Sequence, residues 1–294
     1  MKRLKLSENV ISKLVNCSFE VRAEFVLSRF WDDFTINQIR AAVGMGYTRA
    51  KFGSACITPL MPIDADTFAL ELWHGPTGTF KDISAQVIPH LMPTNSLVLM
   101  ATAGSAAVAA FEGFRDVRGV RVIAFFPNTR MTEMQRLLMV TQDGDNLMAV
   151  GVDGELSEMQ IELDKMVNDE HFARNLTNLG YKLTSLDRIK LGRIAPLTVT
   201  FFSAYCELIK AGEIQLGEPI RIDVPQEHGT LVQALELTKK LFPTSSTAKK
   251  AIVVESEEPH EACEELLEIL RGKPVVFDAI CKPSNMRKFV DLVA

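Results

Sequence analysis

Two short stretches of this chain, Ser96–Ala101 and Val120–Phe126, are apolar at nearly every position. A strand with one wet face alternates apolar and polar residues. A strand that is apolar throughout is covered on both faces, as in parallel sheets flanked by crossover helices. The surrounding sequence repeats the pattern. Leu147–Val152, Ile220–Val224 and Ala251–Val254 read as strands, as does Phe68–Leu72. Between them lie helical periods at Ala106–Phe114, from Thr132 through Val140, from Ser157 to about Asn168, over Leu231–Phe242 and over Glu261–Arg271. Thr132 with Gln135, and Ser157 with Gln160, have the form of capping boxes. After Arg193–Pro196, Phe201, Tyr205 and Leu208 share one helical face and are expected in the core. Strand alternating with helix specifies an α/β fold with parallel sheet and helices on both faces.

The N-terminal part differs. Ser18–Phe30 and Thr35–Val43 carry helical periods, and Lys51–Pro62 is an extended, proline-punctuated passage. The expected organisation is a helical segment over 1–62 and an α/β body over 63–294. A smaller lobe, about 95–185, is inserted in that body. Pro243–Ala248 is the best linker candidate. With 294 residues, 47% of them hydrophobic, the chain has enough material for a sizeable core. The net charge of −5, with signs interspersed, argues against a nucleic-acid partner. Apolar runs fall far short of the ~20 residues that span a bilayer, so no membrane partner and a cytoplasmic location are expected. The five cysteines and five histidines are scattered, with no metal-ligand spacing.

The densest chemistry lies just after the first strand of the body, in Glu71-Leu72-Trp73-His74-Gly75-Pro76-Thr77-Gly78-Thr79-Phe80-Lys81-Asp82. A lysine held on a rigid turn and partly desolvated favours its neutral, nucleophilic form. The run His74-Gly75-Pro76-Thr77, two residues, Phe80-Lys81-Asp82 resembles the pyridoxal-phosphate lysine segment of the threonine synthases. Ala101–Ser105 resembles that family's substrate loop. Phe126–Gln160, Gly192–Ile194, Phe202–Tyr205 and Gly212–Ile214 resemble its following blocks. The resemblance covers roughly residues 20–225. It implies a fold like tryptophan synthase β, in which two α/β domains hold the cofactor between them.

It also implies site residues. Lys81 would be the catalytic, cofactor-holding lysine, with His74, Gly229 and Thr230 at the cofactor. Thr102, Gly104, Ser105 and Arg130 would meet a small amino-acid substrate. The implied activity is a pyridoxal-phosphate-dependent lyase reaction that converts O-phosphohomoserine to threonine, in amino-acid biosynthesis. Three departures point elsewhere. Where the family has a Gly- and Asn-rich phosphate turn, this chain reads Gln226-Glu227-His228-Gly229-Thr230. A carboxylate about 5 Å from a phosphate charge, at an effective dielectric of about 20, costs roughly 3 kcal/mol per charge pair. Weak cofactor binding is therefore expected. The turn at Ala103 is also shorter than the family's, and the family's long segment after the phosphate turn has no counterpart here. The alternative is a non-catalytic relative acting as a binding, regulatory or oligomerisation partner, as a homo-oligomer or with a paralogue.

Overall fold

The structure, a computed structural model, describes residues 5–53, 56–129, 131–185, 190–257, 267–275 and 279–293. Contacts divide the chain into two units, each discontinuous in sequence. Unit 1 comprises Met1–Leu91 and Lys190–Glu258; unit 2 comprises Met92–Ile189 and Pro259–Ala294. The division differs from the expected one at both ends. The N-terminal helices belong to the core of unit 1, and the C-terminal stretch joins the smaller lobe.

In unit 2, strands β3 (Ser96–Ala101), β4 (Val120–Pro127), β5 (Leu147–Val152), β6 (Lys182–Ser185) and β9 (Ala279–Cys281) form a sheet in the order β6-β3-β4-β5-β9. Every pairing is parallel. The apolar runs are explained residue by residue. Leu97, Leu99, Ile123 and Phe125 pack with Met159, Leu163 and Phe172 of helices α8 (Leu156–Asn168) and α9 (Glu170–Asn178). Val98, Met100, Val122 and Ala124 face the other way, against Phe111, Phe114 and Met139 of α6 (Gly104–Phe114) and α7 (Glu133–Val140). Successive side chains thus enter two separate cores, which is why no polar alternation survives.

The Thr132–Gln135 capping box opens α7 as expected. The second does not open α8. That helix begins at Leu156, and the N–H of Glu155 donates to Glu158 Oε2 at 2.9 Å. An acidic side chain at the third helical position closes the motif two residues earlier than Gln160 suggests. The periodicity also missed α9, β6 and β9. Part of the expected helix Glu261–Arg271 lies outside the described residues; 267–271 is helical.

Unit 1 is built on a four-stranded sheet, β1 (Leu60–Pro62), β2 (Thr67–Glu71), β8 (Ala251–Glu255) and β7 (Arg221–Asp223), in the order β1-β2-β8-β7. Only β1 runs antiparallel to its neighbour. Helix α10 (Lys190–Ala211) is the hub. It packs on α1 (Glu8–Val15), α2 (Phe19–Phe30), α5 (Asp82–Ala85) and α11 (Gly229–Thr238). Phe201, Phe202 and Tyr205 are fully buried on it, as the stripe predicts. Its Gly192–Ala211 portion is long and apolar enough to cross a membrane, which the short-run reading overlooked, but it is mostly buried inside unit 1. Arg22 of α2 is also fully buried. It donates to the carbonyls of Leu14 and Val15 at 3.0 and 2.5 Å, to Ser203 Oγ at 2.8 Å and to Glu207 Oε1 at 2.7 Å. It thereby binds α1 and α2 to α10.

Candidate functional site

Lys81 lies at the end of the turn that follows β2, as the N-cap of the short helix α5. The turn is fixed from below by Asp82, which is fully buried. Asp82 Oδ2 accepts from the Thr77 N–H at 2.9 Å, and Oδ1 accepts from the Thr77 hydroxyl at 2.8 Å. Asp82 is thus a tie within the turn. Gly75 passes directly over it: a Cβ there would stand 2.3 Å from the Asp82 Cβ. Gly78 holds a left-handed φ of 69° and its N–H donates to the Gly75 carbonyl at 3.1 Å. Two glycines and one aspartate therefore account for most of the motif's rigidity.

The turn is also stitched to the exit of β8. The Phe80 N–H donates to the Ser256 carbonyl at 2.8 Å, and Thr79 bridges to Glu257. Lys81 is half-buried. Burial pushes its pKa below the ordinary lysine value, and the neighbouring Glu257 carboxylate pulls the other way. Its Nζ lies 5.4 Å from the centre of the Phe80 ring. The sequence reading missed Glu257. No local signal marks it, because only the parallel pairing of β2 with β8 brings it beside the lysine turn. His74 is held by Glu71, Nε2 to Oε2 at 2.6 Å, and stacks on Trp73 with ring centres 4.0 Å apart. Hydrogen bonding thus anchors it within the turn.

The Phe80 ring meets His228, centres 5.0 Å apart. This contact brings the 226–230 turn next to the lysine turn, as the resemblance implies. The chain leaves β7, turns through Pro225–His228 with the His228 N–H on the Pro225 carbonyl at 3.2 Å, and enters α11 at Gly229. No side chain caps this helix. The N–H groups of Gly229 and Thr230 have no acceptor among the described residues, and a Cβ at Gly229 would meet nothing within 4 Å. Glu227 is exposed to solvent. The full unscreened cost expected for its carboxylate therefore does not apply.

The expected substrate-loop residues lie in unit 2. Thr102 continues β3, its N–H donating to the Phe125 carbonyl at 3.1 Å. Gly104, at a left-handed φ of 63°, and Ser105 begin α6, which has no side-chain cap. Arg130 lies outside the described residues. The structure thus brings Lys81, His74, Gly229 and Thr230 together in one unit, and Thr102, Gly104 and Ser105 together in the other. Among the described residues no cluster of His, Cys, Asp and Glu suits a metal ion.

No family model matches the chain. Threonine synthase-like 1 of Homo sapiens is 31% identical over 239 residues, 75% of this chain and 32% of that protein. Threonine synthase of Pseudomonas aeruginosa is 29% identical over 181 residues, 59% of this chain and 36% of that protein. A crystal structure of pyridoxal-phosphate-bound threonine synthase from Brucella melitensis superposes with a TM-score of 0.72 at 24% identity, over 86% of this chain and 53% of that one. Threonine synthase from Escherichia coli gives 0.66 at 21% identity, over the whole of this chain and 74% of that one. The chain is a divergent member of the threonine synthase family. Its fold is that of the tryptophan synthase β-like enzymes. It spans about a third of the length of the curated relatives named above.

Proposed function

We propose that this chain binds pyridoxal phosphate at the Lys81 turn and acts as a threonine-synthase-like lyase, with O-phosphohomoserine as substrate. The observation that carries the reading is the contact of Phe80 with His228. It sets a half-buried lysine beside an uncapped helix start. The residues present fit the cofactor. A helix N-terminus with free N–H groups suits a phosphate, and the open face of Gly229 leaves room for it. Thr230 adds a hydroxyl in the first turn.

Bound pyridoxal phosphate supplies an electron sink for negative charge developing on substrate carbons. The protein's part is positioning and proton transfer. Burial lowers the affinity of Lys81 Nζ for its proton, so the amine is available as a nucleophile and then as a base. Asp82 holds the turn that carries it, and Glu71 holds His74 at the turn's start. On this reading Thr102 and Ser105 serve the substrate.

A second reading, a non-catalytic relative, is favoured by Glu257. Its carboxylate stabilises the protonated, unreactive form of Lys81. The test is an absorbance titration with pyridoxal phosphate followed by borohydride and peptide mapping. Labelling of Lys81, together with phosphate release from O-phosphohomoserine, is expected. Labelling without turnover would favour the second reading. No labelling at Lys81 would overturn the cofactor assignment.

A further inference from the structure

A second site lies in unit 1 at the far end of α11. A cavity of about 580 Å³ opens between the outer edge of β7, the C-terminal end of α11, the loop 243–246 and Lys5. This volume falls within the range of small-molecule pockets, about 300–1,000 Å³. Its floor is apolar, formed by Ile220, Ile222 and Phe242, all buried. Its rim carries four cations, Lys5, Arg221, Lys239 and Lys240, against the single carboxylate of Asp223.

The charge balance inside the rim is uneven. Arg221 Nε is engaged by Asp223 at 3.0 Å, and Lys239 Nζ by Glu236 at 2.5 Å. Lys5 and Lys240 pair with no carboxylate among the described residues. At the end of α11 three of the last carbonyls are already engaged. The carbonyls of Leu235, Leu237 and Thr238 accept from the N–H groups of Lys239, Lys240 and Leu241 at 3.0, 3.0 and 2.8 Å. Thr244, Ser245 and Ser246 add hydroxyls to the loop wall. Two unpaired ammonium groups and a hydroxyl wall over an apolar floor match one kind of ligand: a dianion joined to an apolar body. Lysine ammonium groups serve phosphates as point charges.

We infer that this cavity binds a metabolite-sized phosphate ester with an apolar body, independently of the Lys81 turn. The probe is 1-naphthyl phosphate, titrated calorimetrically into the full chain. Saturable binding is expected, at least about tenfold tighter than that of 1-naphthol or of inorganic phosphate, and weaker at high salt. The double variant Lys5→Glu, Lys240→Glu should lose binding at least tenfold with unchanged circular dichroism and thermal midpoint, since both side chains are exposed. The conservative pair Lys5→Arg, Lys240→Arg should retain it. Lys81→Ala should leave it unchanged, which separates the cavity from the lysine turn. Absence of saturable binding, undiminished binding by the charge-reversed variant, or loss of binding in Lys81→Ala would each overturn the assignment.

Discussion

Arg22 is a guanidinium taken wholly out of water, and its environment fixes what its removal does. Its donors reach two main-chain carbonyls at the end of α1, Ser203 and Glu207. Arg22→Met keeps volume but leaves those acceptors unsatisfied. The expected loss is about 3–5 kcal/mol, measured as a shift of the urea midpoint. Lys81 predicts the opposite sign. Burial depresses its folded pKa below the unfolded value, so folding works against the protonated form. That penalty is present below the folded pKa and fades as pH rises from there towards the unfolded value. Lys81→Met should therefore raise the thermal midpoint at pH 7, and its advantage should shrink at alkaline pH. An unchanged difference across pH would contradict the burial argument. Glu227→Gly should tighten pyridoxal phosphate binding only a few-fold, because the carboxylate is exposed and screened. A titration showing no tightening would mean that another segment holds the phosphate. These residues were unequally legible. Lys81 and its glycines are consecutive in sequence, so their motif could be read directly. Glu257 and the partners of Arg22 come from distant segments, and only packing reveals them.

At the scale of elements, α7 shows what a local signal can and cannot decide. Its capping box is complete: Thr132 accepts from the Gln135 N–H and Gln135 reaches back to the Thr132 N–H. Thr132→Ala should cost about 1 kcal/mol. The loss should appear in hydrogen exchange as faster opening of the first turn of α7, with β4 unaffected. Uniform acceleration through unit 2 would mean that the cap stabilises the whole unit. The same reasoning placed the start of α8 too late, because Ser157 and Gln160 mimic a motif that Glu155 and Glu158 make. The central strands could be read from their length and unbroken apolarity. The edge strands could not. β6 and β9 have burial patterns of mixed exposure, and three or four residues with polar neighbours carry no period. What makes them strands is the neighbouring ladder of β3 or β5.

For the whole molecule, the order of the chain and the order of the sheets disagree. Strands β3 to β6 lie within one continuous stretch, 96–185, and need no later segment to pair with one another. β2 is made earlier but has its parallel partner in β8, at 251–255. In refolding by pulsed hydrogen exchange, the amides of β3 and β4 should gain protection before those of β2, since closing the longer loop costs more entropy. Simultaneous protection would show that the two units fold as one. During synthesis the consequence is sharper. A ribosome elongating at roughly 5–20 residues per second leaves β2 with only the short β1 beside it, and without its parallel partner, for many seconds while the stretch up to β8 is made. Phe68, Ala69 and Leu70, buried once the fold is complete, spend that interval without β8 beside them. The nascent protein therefore presents a sticky strand for which holding chaperones are natural clients. Slowing translation of the last third should increase aggregation, whereas an equal delay before residue 60 should have no such effect.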